Sequence, residues 1–211
     1  RGRGVMAGRA RVAVFASGSG SNFEAVAAAG AAADAPYEVA LLVCDKPRAG
    51  AVSRAERLGV PALVVRPKEF PSREAYEEHL VRELRARGVE FIVLAGYMRL
   101  VTSVLLEAYP DRVLNIHPSL LPAFPGLDAI GQALAYGVKV TGVTVHFVDG
   151  GLDSGPVIAQ APVAVRDGDT HETLAERIHA EEHRLYPAVV RAFAEGRIRL
   201  SGRNVTVDGG L

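Results

Sequence analysis

Continuous apolar runs at residues 12–16, 38–44, 62–65, 90–95 and 112–114 alternate with segments of helical character. Runs of this length, with no polar member in alternate positions, are typical of strands buried on both faces of a parallel sheet. Between them lie an alanine-rich stretch at 23–33, a segment at 49–58 closed by Gly59, and an amphipathic stretch at 72–87 with Ser72 as its cap and Gly88 as its stop. These are predicted helices. The resulting βαβαβ rhythm predicts an α/β, Rossmann-like fold with a central, mostly parallel twisted sheet and helices on both faces. Further on, 128–136 reads as a short helix and 138–148 alternates apolar with polar positions, which predicts a longer and more exposed strand. Another strand is predicted at 157–165, then a long helix over 174–195 capped by Thr170. Residues 197–211 read as a hairpin-like tail without identifiable chemistry.

Against that pattern the polar interruptions stand out. Residues 115–126 carry prolines 118, 122 and 125, which exclude helix and central strand, so Asn115 and His117 are expected where a buried strand gives way to a rigid loop. In α/β proteins ligands bind at that edge of the sheet. Two apart on extended backbone, the amide and the imidazole project from one face and can hold a carbonyl oxygen as it becomes an oxyanion. The simpler reading is a turn cap and a half-buried histidine.

Residues 17–22, Ser-Gly-Ser-Gly-Ser-Asn, stand between the first strand and the first helix. Glycines that admit close approach, followed by helix amides, form an anion cradle. Phe23 holds the place of the third glycine in a dinucleotide fingerprint, and the Walker lysine is absent, so a monophosphate fits better than a pyrophosphate. A tight turn with Ser or Asn as helix cap explains the same six residues. Asp45, at the end of the second strand, sits where a Rossmann domain places its ribose-binding acid.

Other candidates are weaker. Met98, Arg99, Leu100 and Val101 leave the fourth strand where they can line a cleft, although such residues are more often core. Arg73, at the mouth of a helix, could bind a carboxylate or be a solvated charge. In the loop Asp149, Gly150, Gly151, Leu152, Asp153, the second acid could pair with His117 and order a water, against a plain Asp-Gly turn. His146 is expected to be a core histidine. His179, Glu182 and His183 share a helix face, but Ala180 stands where a metalloprotease pattern needs glutamate, so no metal is expected.

Composition narrows the classes. Equal numbers of basic and acidic residues, 24 each, remove the basic footprint of a non-specific nucleic-acid or membrane-surface binder and favour a small ligand. One cysteine, Cys44, excludes an internal disulfide framework and fits a reducing cytosol. No apolar run approaches the ~20 residues of a membrane span. Residues 1–10 read as a disordered leader and 11–195 as a single domain, with 11–100 a phosphate-binding half and 101–195 a catalytic half.

Four segments together carry a resemblance: Gly18-Ser19-Gly20-Ser21-Asn22, Leu94-Ala95-Gly96-Tyr97-Met98-Arg99, Asn115-Ile116-His117-Pro118-Ser119-Leu120-Leu121-Pro122, and Leu152-Asp153-Ser154-Gly155-Pro156-Val157-Ile158. Over residues 12–193 the chain resembles the phosphoribosylglycinamide formyltransferases, folate-dependent members of the formyltransferase family. The resemblance implies the formyltransferase variant of the fold and transfer of a formyl group from 10-formyltetrahydrofolate, a co-substrate, to the amine of 5'-phosphoribosylglycinamide in purine synthesis. It implies Asn115, His117 and Asp153 as catalytic residues, and Gly20, Ser21, Asn22 and Glu182 as contacts to the nucleotide substrate. The folate side would comprise Arg73, Met98, Arg99, Leu100, Val101, Asn115, Asp149, Gly150, Gly151, Leu152 and Asp153. It further implies small-molecule substrates only, no nucleic acid, membrane or metal, a monomer or homodimer, and a cytoplasmic location. Some members carry histidine where this chain has Asp128 and Ile130. Three alternatives stay open: a formyltetrahydrofolate hydrolase or another folate-dependent formyltransferase, a nicotinamide oxidoreductase using Gly18, Gly20 and Asp45, and a non-catalytic binding protein.

Overall fold

The computed structural model describes residues 8–211. Residues 1–7 of the expected leader lie outside the described residues. Strands β1 (Ala10–Ala16), β2 (Tyr37–Cys44), β3 (Ala62–Val64), β4 (Phe91–Leu94), β5 (Val113–His117), β6 (Val140–Phe147) and β7 (Val157–Ala164) form one sheet in the order β3-β2-β1-β4-β5-β6-β7. The pairs among β1 to β5 are parallel, whereas β6 joins β5, and β7 joins β6, antiparallel. The chain thus winds outward from β1 in both directions, and the change of direction between β1 and β4 leaves a crevice beyond their carboxyl ends.

Helices α1 (Ser21–Gly30), α2 (Gly50–Leu58), α3 (Arg73–Ala86), α4 (Ser103–Ala108), α5 (Ala129–Tyr136) and α6 (His171–Ala194) cover the sheet. Side chains of β1 alternate between two cores, as the strand period of two requires. Val12, Val14 and Ala16 pack with Phe23 and Val26 of α1, Ala51 and Ala55 of α2, and Ile178 and Tyr186 of α6. Ala13 and Phe15 pack on the other face with Tyr76, Leu80 and Leu84 of α3 and Leu105 of α4. Burial on both faces accounts for the unbroken apolar runs. Ser72 caps α3 by accepting the Ala75 N–H at 3.0 Å, and Gly59 closes α2 with φ 70°, both as expected.

Two strands, β5 and β6, differ from expectation, and α4 falls where no helix was predicted. β5 does not end at Leu114 but continues through Asn115 to His117, because all three prolines lie beyond the last residue that pairs with β6. β6 is not an exposed strand: its polar positions are buried, Thr144 at 0% and His146 at 2% exposure. Thr144 shows why alternation misled. Its hydroxyl donates to the Ser119 carbonyl (2.7 Å) and accepts from the Leu121 N–H (3.1 Å), so a protein loop takes the place of water.

α6 spans 24 residues, with Pro187 inside it. The buried Tyr186 hydroxyl donates to the Leu94 carbonyl at 2.7 Å, which pins this helix to the end of β4. Strands β8 (Ile198–Ser201) and β9 (Asn204–Val207) form a hairpin whose Ile198, Leu200, Val205 and Val207 lie against the main core. β1 begins at Ala10, within the stretch expected to be leader.

Candidate active site

A cleft of about 650 Å³ opens at the carboxyl ends of β1, β4 and β5. The loop after β1 and the segment after β4 both line it, and they are joined where the Ser17 N–H donates to the Gly96 carbonyl at 3.1 Å. Asn115, His117 and His146 line it as well, while the loop after β6 and the inner face of α6 complete the wall. Every site residue that the resemblance implies lines it except Arg73.

The glycine loop is a cradle held from behind by α2. Gly20 precedes α1 with φ 78°, and a Cβ on it would stand 2.6 Å from the Cα of Ala51. The Ala51 N–H donates to the Gly18 carbonyl (3.0 Å) and Arg54 Nε to the Ser19 carbonyl (2.8 Å). The expected Ser or Asn cap is not there: α1 has no side-chain cap, so its first amides face the cleft without an internal acceptor. Phe23 is fully buried in the core, which leaves no close helix–strand approach of the kind a dinucleotide fingerprint needs.

The segment after β4 is not core. Met98 and Leu100 are 59% and 58% exposed, because the chain leaves the sheet at Gly96 (φ 71°) and is held from outside. Met98 N–H donates to the Ser17 hydroxyl (3.0 Å), Arg99 Nε to Asp45 (2.8 Å) and Arg73 to the Leu100 carbonyl (2.8 Å). Asp45 therefore does not serve as a ribose-binding acid, since its carboxylate is buried against Arg99. Arg73 sits behind the segment it bonds and outside the cleft wall.

His117 and Asp153 meet in the middle. The imidazole is 5% exposed, and its Nε2 lies 2.8 Å from the Phe124 carbonyl. A carbonyl only accepts, so Nε2 carries a proton and Nδ1 is the nitrogen left for chemistry. Nδ1 stands 3.5 Å from Asp153 Oδ2, and that oxygen also accepts the Gly126 N–H at 2.8 Å. Asp153 is not a plain turn residue: it lines the cleft, and its carboxylate lies against both His117 and the Gly126 N–H.

Asn115 and His146 face each other across β5 and β6. His146 Nδ1 lies 2.9 Å from the Phe147 carbonyl and must donate to it, which leaves Nε2 as an acceptor for Asn115 Nδ2 at 3.4 Å. The ring is thus not merely core, as expected, but part of the cleft wall and in contact with Asn115. Burial lowers its pKa below the ordinary 6.5. An unfolded chain takes up a proton near pH 6.5 that the folded ring resists, so His146 costs stability as pH falls below that value. His179 acts oppositely: its hydrogen bond to Glu182 raises its pKa, so its contribution is present at low pH and lost as pH rises. The difference between wild type and His146→Gln isolates the first effect. Urea midpoints should fall more steeply for wild type between pH 7 and pH 5, and parallel curves would refute the assignment.

Three further contacts surround the cleft. Glu182 is 4% exposed, and His179 Nδ1 lies 2.5 Å from its carboxylate. His171, the first residue of α6, lies 2.8 Å from Asp128, the αL cap of α5. Arg203, at the tip of the β8–β9 hairpin, donates to the Ser154 carbonyl at 2.8 Å. The tail without apparent chemistry therefore touches the loop that carries Asp153. Among the described residues no group of three or more His, Cys, Asp or Glu could hold a metal ion.

Residues 10–190 match the family described as formyl transferase. The chain belongs to the formyl transferase family. A phosphoribosylglycinamide formyltransferase of Bacillus subtilis is 50% identical over 181 residues, covering 86% of this chain and 93% of that one. Among solved structures, glycinamide ribonucleotide transformylase 1 of Symbiobacterium toebii superposes with a TM-score of 0.94 at 49% identity, over 98% of each chain. The corresponding protein of Geobacillus kaustophilus is 56% identical with a TM-score of 0.85, over 88% of this chain and 99% of that one. As a formyl transferase this chain has the α/β sheet expected of it, and the nicotinamide reading loses its acid to Arg99. No helix among the described residues is long and apolar enough to cross a membrane.

Proposed function

We propose that this chain transfers the formyl group of 10-formyltetrahydrofolate to the amine of 5'-phosphoribosylglycinamide, giving the N-formyl product and tetrahydrofolate. The observation that carries this reading is one cleft lined together by an anion cradle, by an apolar, backbone-rich segment, and by Asn115, His117 and Asp153. The phosphate of the acceptor suits the amides at Gly20, Ser21 and Asn22, and Glu182 suits its polar groups. The exposed Met98 and Leu100 side chains, with Arg99, Val101 and the 149–153 loop, suit a flat heteroaromatic donor. In this reading Arg73 acts on the donor side through the Leu100 carbonyl it holds.

The chemistry then runs without a covalent enzyme intermediate. The acceptor amine attacks the formyl carbon, a C–N bond forms, and the carbonyl electrons move onto oxygen. Asn115 Nδ2 and protonated His117 donate to that oxyanion. The attacking nitrogen loses a proton, the C–N bond to the folate breaks, and the folate nitrogen gains a proton. Asp153 stands 3.5 Å from His117 Nδ1, where its carboxylate can relay the proton through water. The donor is a co-substrate, and the mechanism uses no metal. A small-molecule enzyme of this kind would work in the cytoplasm, as a monomer or homodimer, with the phosphate-binding half over residues 11–100 and the catalytic half over 101–195.

The test is consumption of 10-formyltetrahydrofolate with and without the phosphorylated amine. Turnover that depends on the acceptor by at least tenfold is the expected result. Equal consumption without it would identify a hydrolase instead.

A further inference from the structure

Glu77 is a buried carboxylate that the proposed chemistry leaves unused. It lies on α3 one turn after Arg73, is 5% exposed, and has no ion-pair partner among the described residues. All of its hydrogen bonds come from one short stretch. Thr102 N–H lies 3.0 and 2.8 Å from its two oxygens, the Thr102 hydroxyl donates at 2.8 Å, and the Leu105 N–H at 3.1 Å. A buried charge is expensive unless hydrogen bonds replace its water. Thr102 caps α4 with its own hydroxyl, which accepts the Val104 N–H at 3.2 Å, and Glu77 takes the Leu105 N–H, but its bonds to the Thr102 N–H and hydroxyl go beyond capping. The backbone of Thr102 is thus held more firmly than helix formation alone demands.

What Thr102 terminates is the exposed segment from Met98 to Val101. Arg73 and Glu77, four apart and so on one face of α3, grip that segment by opposite chemistry. Arg73 donates to the Leu100 carbonyl and Glu77 accepts from Thr102. At the other end Ser17 and Asp45 hold Met98 and Arg99. The N–H groups of Arg99, Leu100 and Val101, in between, have no acceptor in the described protein.

We infer that Glu77 is a positioning residue for the donor-binding segment: its buried carboxylate fixes Thr102 so that the backbone of residues 98–101 is held out to a flat heteroaromatic ligand. This rests on the formyl-transfer reading for the identity of the ligand, but not for the tethering itself. The experiment compares wild type, Glu77→Gln and Glu77→Asp by three measurements: tetrahydrofolate binding by calorimetry, KM for the phosphorylated amine, and exchange of individual backbone amides by NMR.

Glutamine sets an N–H group against the N–H groups of Thr102 and Leu105, so at least one bond is lost. The expected result is a rise of roughly tenfold in the Kd for tetrahydrofolate, with KM for the amine within about twofold, consistent with losing one hydrogen bond to a charged group. The Met98 N–H, at the far end of the segment, should exchange several-fold faster. Glu77→Asp keeps both acceptor oxygens and should fall in between, and it supplies the reading if the amide variant does not fold. Faster exchange confined to Thr102 and Leu105, or equal losses for both substrates, would reduce Glu77 to a helix cap and overturn the inference. If wild type binds no tetrahydrofolate, the formyl-transfer reading falls, while Met98 exchange still decides whether Glu77 positions the segment.

Discussion

Replacing His117 by alanine is expected to lower kcat by roughly 10²-fold or more, the usual loss for one oxyanion donor. The ring is held at Nε2 by the Phe124 carbonyl and presents Nδ1 to Asp153, so it contributes orientation and a proton but no contact to the glycine loop. KM for the phosphorylated amine should therefore change little, because a group that acts only as charge develops leaves ground-state binding intact. Steady-state kinetics with both substrates check this. A kcat within threefold of wild type would remove His117 from the chemistry. The cavity left by the lost ring will also cost stability, so a thermal melt should accompany the assay to show that the variant is folded.

The second large effect is expected at the glycine loop of the same cleft. Gly20→Ala should raise KM for the phosphorylated amine by roughly 30-fold, the equivalent of one charge-assisted hydrogen bond of about 2 kcal/mol. Gly20 has a left-handed φ of 78°, and its added methyl would meet the Ala51 backbone at 2.6 Å. Backbone cannot yield as a side-chain tip would, so the loop must move and carry the first amides of α1 with it. Binding of inorganic phosphate, measured by calorimetry, should weaken in parallel. The donor's binding should not. An unchanged KM would show that the loop is a turn rather than an anion cradle.

Much of this architecture was legible from the pattern of apolar residues. The runs of β1, β2 and β4 are buried on both faces, so hydrophobicity marks them without ambiguity. Ser72 and Gly59 bound helices by local chemistry, which depends on neighbours in sequence alone. The strand β6 misled for the converse reason. Its polar residues Thr144 and His146 are satisfied by Ser119, Leu121, Phe147 and Asn115, and partners so distant in sequence leave no periodic trace. Met98 and Leu100 misled because hydrophobic side chains are usually core, whereas here four anchors on three elements hold them in the open.

By itself the sequence determined which residue types could do the chemistry, where the strands and most helices lie, and that Asn115 and His117 share one face. These follow from local periodicity and from hydrogen-bonding capacity, and neither depends on the rest of the chain. Only the tertiary structure decided that Asp45 belongs to Arg99, that Asp153 reaches His117 across 36 residues of sequence, and that Glu77 and Arg203 brace the loops around the cleft. A carboxylate or guanidinium can serve any of several partners. Which one it serves is fixed by the distances that packing imposes once the two cores have closed on the sheet.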